Sequence, residues 1–160
     1  MRMTVVEAVG LALARALEED PDVVVLGEDV GRNGGVFRAT AGLRDRFGPR
    51  RVVDTPLAES LIAGVAVGMA TQGLRPVAEI QFMGFMYAAM EHLVSHAARL
   101  RNRTRGRLTC PLTLRMPFWS PHLHSLKTQN SLVFIITPEL PKHLGTALQL
   151  KFLITPNSMV

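Results

Sequence analysis

The sequence predicts an α/β protein, a parallel sheet flanked by helices, and three observations carry that prediction. Val23-Val24-Val25-Leu26 is a short continuous apolar run, the pattern of a strand buried on both faces. Similar runs recur along the chain, separated by segments of helical periodicity long enough to serve as right-handed crossovers. The composition is compatible, since 160 residues at 48% hydrophobic and 19% charged allow one domain with a real core.

The elements follow in order. Thr4-Val5-Val6-Glu7 has the form of a capping box, and Val5, Val6, Val9, Leu11, Leu13 and Leu17 continue at roughly helical spacing. Pro21-Asp22 ends that helix, and the Val23–Leu26 strand runs into Gly27-Glu28-Asp29. Gly31 to Gly35 make a flexible loop. A short helix near residues 41–47 leads to a strand at Arg51-Val52-Val53. Leu61 to Ala70 is a helix unusually rich in small residues, with Gly73 as its C-terminal cap. Pro76 to Phe82 reads as a strand, Tyr87 to Arg101 as an amphipathic helix, and Pro111 to Arg115 as a further strand.

Composition also narrows the function classes. No segment reaches the roughly 18 uncharged apolar residues of a membrane span, and no charged-then-apolar leader is visible, so no membrane partner is expected. A single cysteine, Cys110, rules out an internal disulfide framework and suits a reducing cytoplasm. Its setting predicts an inert thiol in an apolar strand rather than a nucleophile. The net charge of +5 is concentrated in Arg99, Arg101, Arg103, Arg105 and Arg107. Such a run can track phosphates. Yet no aromatics interleave with it, and it reads as a solvated helix end whose cations favour the helix dipole. No nucleic acid is expected as a partner.

The chemistry-bearing candidate is Glu59, in Asp54-Thr55-Pro56-Leu57-Ala58-Glu59-Ser60. It stands at a strand-to-helix junction, beyond the carboxyl end of a strand, where open α/β sheets bind ligands. The alternative is a first-turn glutamate that favours the helix dipole. His92 and His96 have the i, i+4 spacing of a metal pair, but Leu93 stands where the zincin pattern needs Glu. They read as surface or packing histidines, and no metal site is expected. Gly27, Gly31, Gly34 and Gly35 fit neither a P-loop nor a dinucleotide fingerprint. Gly64 to Gly68 is a small-xxx-small pattern, which implies close approach of another helix, within the chain or across a subunit boundary.

Several ordered motifs together carry a resemblance. They are Val25-Leu26-Gly27-Glu28-Asp29-Val30, Gly34-Gly35-Val36-Phe37, the Asp54–Ser60 run, Ala63–Gly68, Gly73–Phe82 and Leu114-Arg115-Met116-Pro117-Phe118. Residues 3 to about 118 thereby resemble the beta subunit of the thiamine-diphosphate-dependent decarboxylating component of 2-oxo acid dehydrogenase complexes, of pyruvate or branched-chain type. The resemblance implies a transketolase-like pyrimidine-binding domain over residues 1–118. It implies that Glu59 hydrogen-bonds the aminopyrimidine ring nitrogen, favouring the tautomer whose basic nitrogen removes the thiazolium proton. It also implies a pocket of Glu28, Leu57, Glu59, Gln81 and Phe85, the last packing on the ring. By residue type alone, Glu28 also reads as a strand end and Phe85 as core. The implied cofactor is thiamine diphosphate, with magnesium held mainly by a separate alpha subunit. The implied partners are that alpha subunit, a second beta subunit in an alpha2-beta2 assembly, and a lipoyl-bearing acyltransferase.

The resemblance fails after Phe118. The family continues with a Gly-rich loop and a His-Ser pair that reaches the active site, whereas Trp119-Ser120-Pro121 follows here. His124-Ser125 echoes the pair several residues early, which makes His124 the second catalytic candidate. All fifteen arginines lie before residue 119, while the three lysines, Lys127, Lys142 and Lys151, lie after it. Residues 119–160 therefore read as a divergent or frameshifted tail. A chain that stops partway through a parallel sheet is expected to expose apolar edges. The alternative function is a catalytically inactive fragment that binds a partner subunit through the Gly64–Gly68 helix.

Overall fold

The computed structural model describes residues 3–118 and 130–136. The first helix, α1 (Val5–Glu19), starts at Thr4. The Thr4 hydroxyl accepts from the Glu7 N–H while the Glu7 carboxylate accepts from the Thr4 N–H, forming the predicted capping box. Beyond its end, Arg51 closes the turn into β1 (Val23–Gly27). Its guanidinium donates to the carbonyls of Leu17 at 2.9 Å, Asp20 at 2.6 Å and Val23 at 2.9 Å.

All five residues of β1 are buried, as the unbroken apolar run predicts. Then come α2 (Leu43–Phe47), β2 (Val52–Asp54), α3 (Glu59–Thr71), β3 (Arg75–Glu79), a 3-10 turn (Met83–Phe85) and α4 (Met86–Glu91). A π-helical turn (His92–Ala97), α5 (Ala98–Arg103), β4 (Leu112–Phe118) and β5 (Asn130–Ile136) complete the order. Gly73, just past α3, has φ 95°, the left-handed cap expected of it.

The strands lie in the order β2-β1-β3-β4-β5, with β1 to β4 parallel. Helices cover both faces. Val23, Val25 and Val52 pack with Leu17 and Leu43 under α1 and α2. Leu26, Ala78, Leu112 and Leu114 pack on the other face with Ile62, Ala66 and Leu93 of α3 and the π turn. Each fully buried Leu or Ile contributes about 1.5–3 kcal/mol. Ala63, Ala66 and Ala70 are at most 2% exposed, so the small side chains of α3 seat it close to the sheet.

Three expectations need correction. The predicted Pro76–Phe82 strand ends at Glu79, because Phe82 opens the 3-10 turn. The predicted single helix from Tyr87 to Arg101 is broken by the π turn. That wider turn keeps Leu93 and Ala97 in the core while laying the His92 ring over Gly64, where an added Cβ would stand 3.1 Å from the ring. Gly64 therefore serves packing within the chain, whereas Gly68 faces open space. Finally, β5 pairs antiparallel with β4, Leu112 opposite Ile136 through Phe118 opposite Asn130, so the sheet is mixed at this edge. The connection, residues 119–129, is shorter than the dozen or more residues a parallel crossover needs. Among the described residues no helix is long and apolar enough to cross a membrane.

Candidate functional site

The strand registers bring Asp54, Gly27, Glu79 and Arg115 into one row across β2, β1, β3 and β4, at the carboxyl ends of the parallel strands. The strand order reverses at β1, with β2 added on one side and β3 and β4 on the other, so the crevice outside the β1 and β3 ends is the place where such sheets bind ligands. Glu28 follows β1 there, Gln81 lies just past β3, and Glu59 opens α3 after β2.

These three side chains converge. Glu28 is half-buried and its carboxyl is raised above the ordinary value, first by loss of water, then by the negative charges of Asp29 and Glu59. The Gln81 side chain opposes this in part by hydrogen-bonding Glu28. No cation pairs with Glu28 or Glu59 among the described residues. The N-terminus of α3 is capped by no side chain, and its second residue, Ser60, instead lies 3.1 Å from His92 Nε2. Thr55 Oγ1 is buried without a hydrogen-bond partner among the described residues.

Two exposed apolar side chains, Leu57 and Phe85, flank these residues in sequence, two before Glu59 and four after Gln81. Phe85 is 51% exposed and Leu57 70%, so Phe85 is not the core residue that its type alone allows. Its ring is propped edge-on by Phe82 at 5.9 Å, and Phe82 in turn by Phe37 at 5.6 Å. Phe85 thus presents an exposed aromatic face four residues after Gln81, the amide that hydrogen-bonds Glu28. The donor and acceptor set of the two carboxylates and this amide matches a flat heterocycle carrying a ring nitrogen and an exocyclic amine.

Two ties hold the acidic segments together. The Thr55 N–H donates to the Gly27 carbonyl at 3.0 Å. One residue earlier, the Asp54 carboxylate accepts from the backbone N–H of Gly31 at 2.5 Å and of Arg32 at 3.2 Å, and from Arg44 Nη1 at 2.5 Å. An added Cβ on Gly31 would meet both Asp54 oxygens and Arg44 Nη1 at 2.7–2.8 Å, so a side chain there would push the carboxylate and guanidinium ends aside. The Gly31–Gly35 loop expected to be flexible is thus anchored. The row continues into a buried ion pair, Arg115 Nη1 to Glu79 Oε2 at 2.6 Å, with side chains 5% and 3% exposed.

The remaining candidates separate from this site. Cys110 is buried, and loss of water pushes its thiol up to about 11, which makes it inert as expected. His92 and His96 stack at 5.5 Å between ring centroids, and among the described residues no group of three potential ligands gathers around them. His124 lies outside the described residues. Sequence reasoning missed Asp54, Phe37 and Phe82 as supports, and the Glu79–Arg115 pair. The available signal for that pair was the presence of charges in otherwise apolar strands, which must be paired when buried.

The family described as transketolase, pyrimidine binding domain, matches residues 1–135. The pyruvate dehydrogenase E1 component subunit beta of Acholeplasma laidlawii is 56% identical over 115 residues, 72% of this chain and 35% of that protein. The protein of the same name from Bacillus subtilis is 47% identical over 149 residues, 88% of this chain and 46% of that protein. The 2-oxoisovalerate dehydrogenase subunit beta of Bacillus subtilis is 51% identical over 116 residues, 72% of this chain and 36% of that protein. The chain therefore spans between about a third and a half of the length of these relatives.

Proposed function

Because this chain belongs to the transketolase pyrimidine-binding domain family, we propose that it is the pyrimidine-binding part of a 2-oxo acid dehydrogenase beta subunit. The substrate is pyruvate or a branched-chain 2-oxo acid, the reaction an oxidative decarboxylation with acyl transfer to a lipoyl group. The observation that carries this reading is the meeting of Glu28, Glu59 and Gln81 at the sheet's switch point, with Phe85 exposed four residues after Gln81.

The residues present fit the ring half of thiamine diphosphate. The carboxylates, which meet no cation among the described residues, and the amide match an aminopyrimidine's nitrogens, and the exposed Phe85 face suits stacking. When bound, thiamine diphosphate supplies the electron sink for loss of carbon dioxide. In this reading Glu59 holds the proton at the ring nitrogen. Glu28 and Gln81 orient the amine side, and Leu57 and Phe85 exclude water and fix the ring plane. His124 contributes from the segment outside the described residues.

The diphosphate and magnesium belong to an alpha subunit, which completes the site within an alpha2-beta2 assembly served by a lipoyl-bearing acyltransferase in the cytoplasm. We further propose that residues 119–160 are a divergent or frameshifted tail, on the strength of the switch from arginine to lysine. Resequencing the coding DNA around Phe118 separates the two, and a shifted frame that restores no Gly-rich loop and His-Ser pair rejects the frameshift.

The functional test mixes the full chain with a cognate alpha subunit. Thiamine-dependent decarboxylation that Glu59→Gln abolishes is the expected result. A stable complex without turnover would instead favour the catalytically inactive fragment that only binds its partner.

A further inference from the structure

We propose that Asp54 is a positioning residue that sets the separation between the Glu28 and Glu59 carboxylates. The inference rests on the reading above for its catalytic meaning, but its geometry stands alone. Glu28 sits in a short segment held at both ends by adjacent residues, Asp54 at the end of β2 and Thr55 just past it. On one side Gly27 O accepts from the Thr55 N–H at 3.0 Å. On the other, Gly31 and Arg32 donate their N–H groups to the Asp54 carboxylate at 2.5 and 3.2 Å.

Only three residues lie between Gly27 and Gly31, so the clasp leaves the Glu28 backbone little freedom. Beyond Asp54 the strand ends and the chain reaches Glu59, the first residue of α3, five residues on. The clasp therefore belongs to the segment that delivers one carboxylate, and it grips the segment that delivers the other. Gly31 tightens the fit, because a Cβ there would meet the Asp54 oxygens at 2.7–2.8 Å. Arg44 also pairs with Asp54, with both side chains 28% exposed. A carboxylate accepting from two backbone N–H groups and a guanidinium makes charge-assisted bonds, the stronger kind.

The test uses the full chain labelled with carbon-13 at glutamate carboxyls, the Glu28 signal being assigned through Glu28→Gln. Glu28 faces Asp29, Glu59 and Gln81. In the parent chain its carboxyl is raised above its ordinary value, because loss of water and the charges of Asp29 and Glu59 outweigh the Gln81 hydrogen bond. Asp54→Ala and Gly31→Ala each free or displace the Glu28 segment. Both are expected to move that titration down toward the ordinary range. Arg44→Ala keeps both backbone bonds and is expected to leave it in place.

An unchanged Glu28 titration in folded Asp54→Ala and Gly31→Ala chains overturns the proposal. Loss of a cooperative melting transition in both variants also overturns it, in favour of a purely structural role. In complex with a cognate alpha subunit, Asp54→Ala is expected to lower turnover on the order of 10²-fold, as for a misplacement of about 1 Å. Arg44→Ala is expected to retain most of it. If the parent complex shows no turnover, the functional reading fails, while the titration still decides the role of Asp54.

Discussion

Glu28 and Glu79 stand at the carboxyl ends of neighbouring strands, β1 and β3, yet their surroundings differ sharply. Glu79 is buried and meets Arg115 across the β3–β4 register at 2.6 Å. Glu28 meets no cation among the described residues and faces two further carboxylates, Asp29 and Glu59. The same functional group is thus neutralised on one side of the crevice and left uncompensated on the other. A paired buried carboxylate fixes strand register. An unpaired one, held by backbone ties rather than by charge, keeps its lone pairs available to a ligand, and perturbed groups of that kind gather at functional sites.

The contrast can be broken most forcefully on the paired side. Glu79→Ala leaves Arg115 in a buried setting and is expected to destabilise the fold by about 3–5 kcal/mol, read by urea denaturation. Replacing both together, Glu79→Leu with Arg115→Met, is expected to recover most of that loss. On the unpaired side, Glu59→Gln is expected to cost about 10²–10⁴-fold in thiamine-dependent turnover of the complex with an alpha subunit. Its effect on stability is expected to stay within about 1 kcal/mol, the loss of one first-turn charge.

A subtler test titrates the difference. The Glu28 carboxyl is raised in the folded chain, so the folded state holds its proton to higher pH than the unfolded state does. Below the ordinary carboxylate range both states are protonated and Glu28 costs nothing. As pH rises through the raised value, the folded state must accept an unfavourable charge. Glu28→Gln is therefore expected to raise the melting temperature at pH 7 and to change it less at acid pH. The smallest effect calibrates the others. Gly68→Ala, in open space on α3 and away from both carboxylates, is expected to stabilise the isolated chain by about 0.5–1 kcal/mol in the same denaturation assay.

Local signals were the legible ones. The Thr4–Glu7 capping box, the fully buried β1 and the placement of Glu59 at a strand-to-helix junction all follow from residues adjacent in sequence. The illegible features depend on partners far apart. Asp54 reaches back 23 residues to Gly31, and Arg115 reaches back 36 to Glu79. Periodicity assigns each to an element but says nothing of which strand ends become neighbours, and that requires the strand order. The π turn was hidden for a similar reason, since His92 finds its place against Gly64 of another helix. The β5 strand lies where alternation of helix and strand signals fades, and its direction follows from the length of the connection rather than from its own residues.

Arg51 has a consequence for the order in which the chain takes shape. Its guanidinium satisfies the Leu17, Asp20 and Val23 carbonyls from 28–34 residues downstream. During synthesis, then, the first helix and strand emerge from the ribosome with their joining turn still open to water. The three carbonyls gain their guanidinium partner only when the segment leading into β2 arrives, so the later segment completes the earlier one.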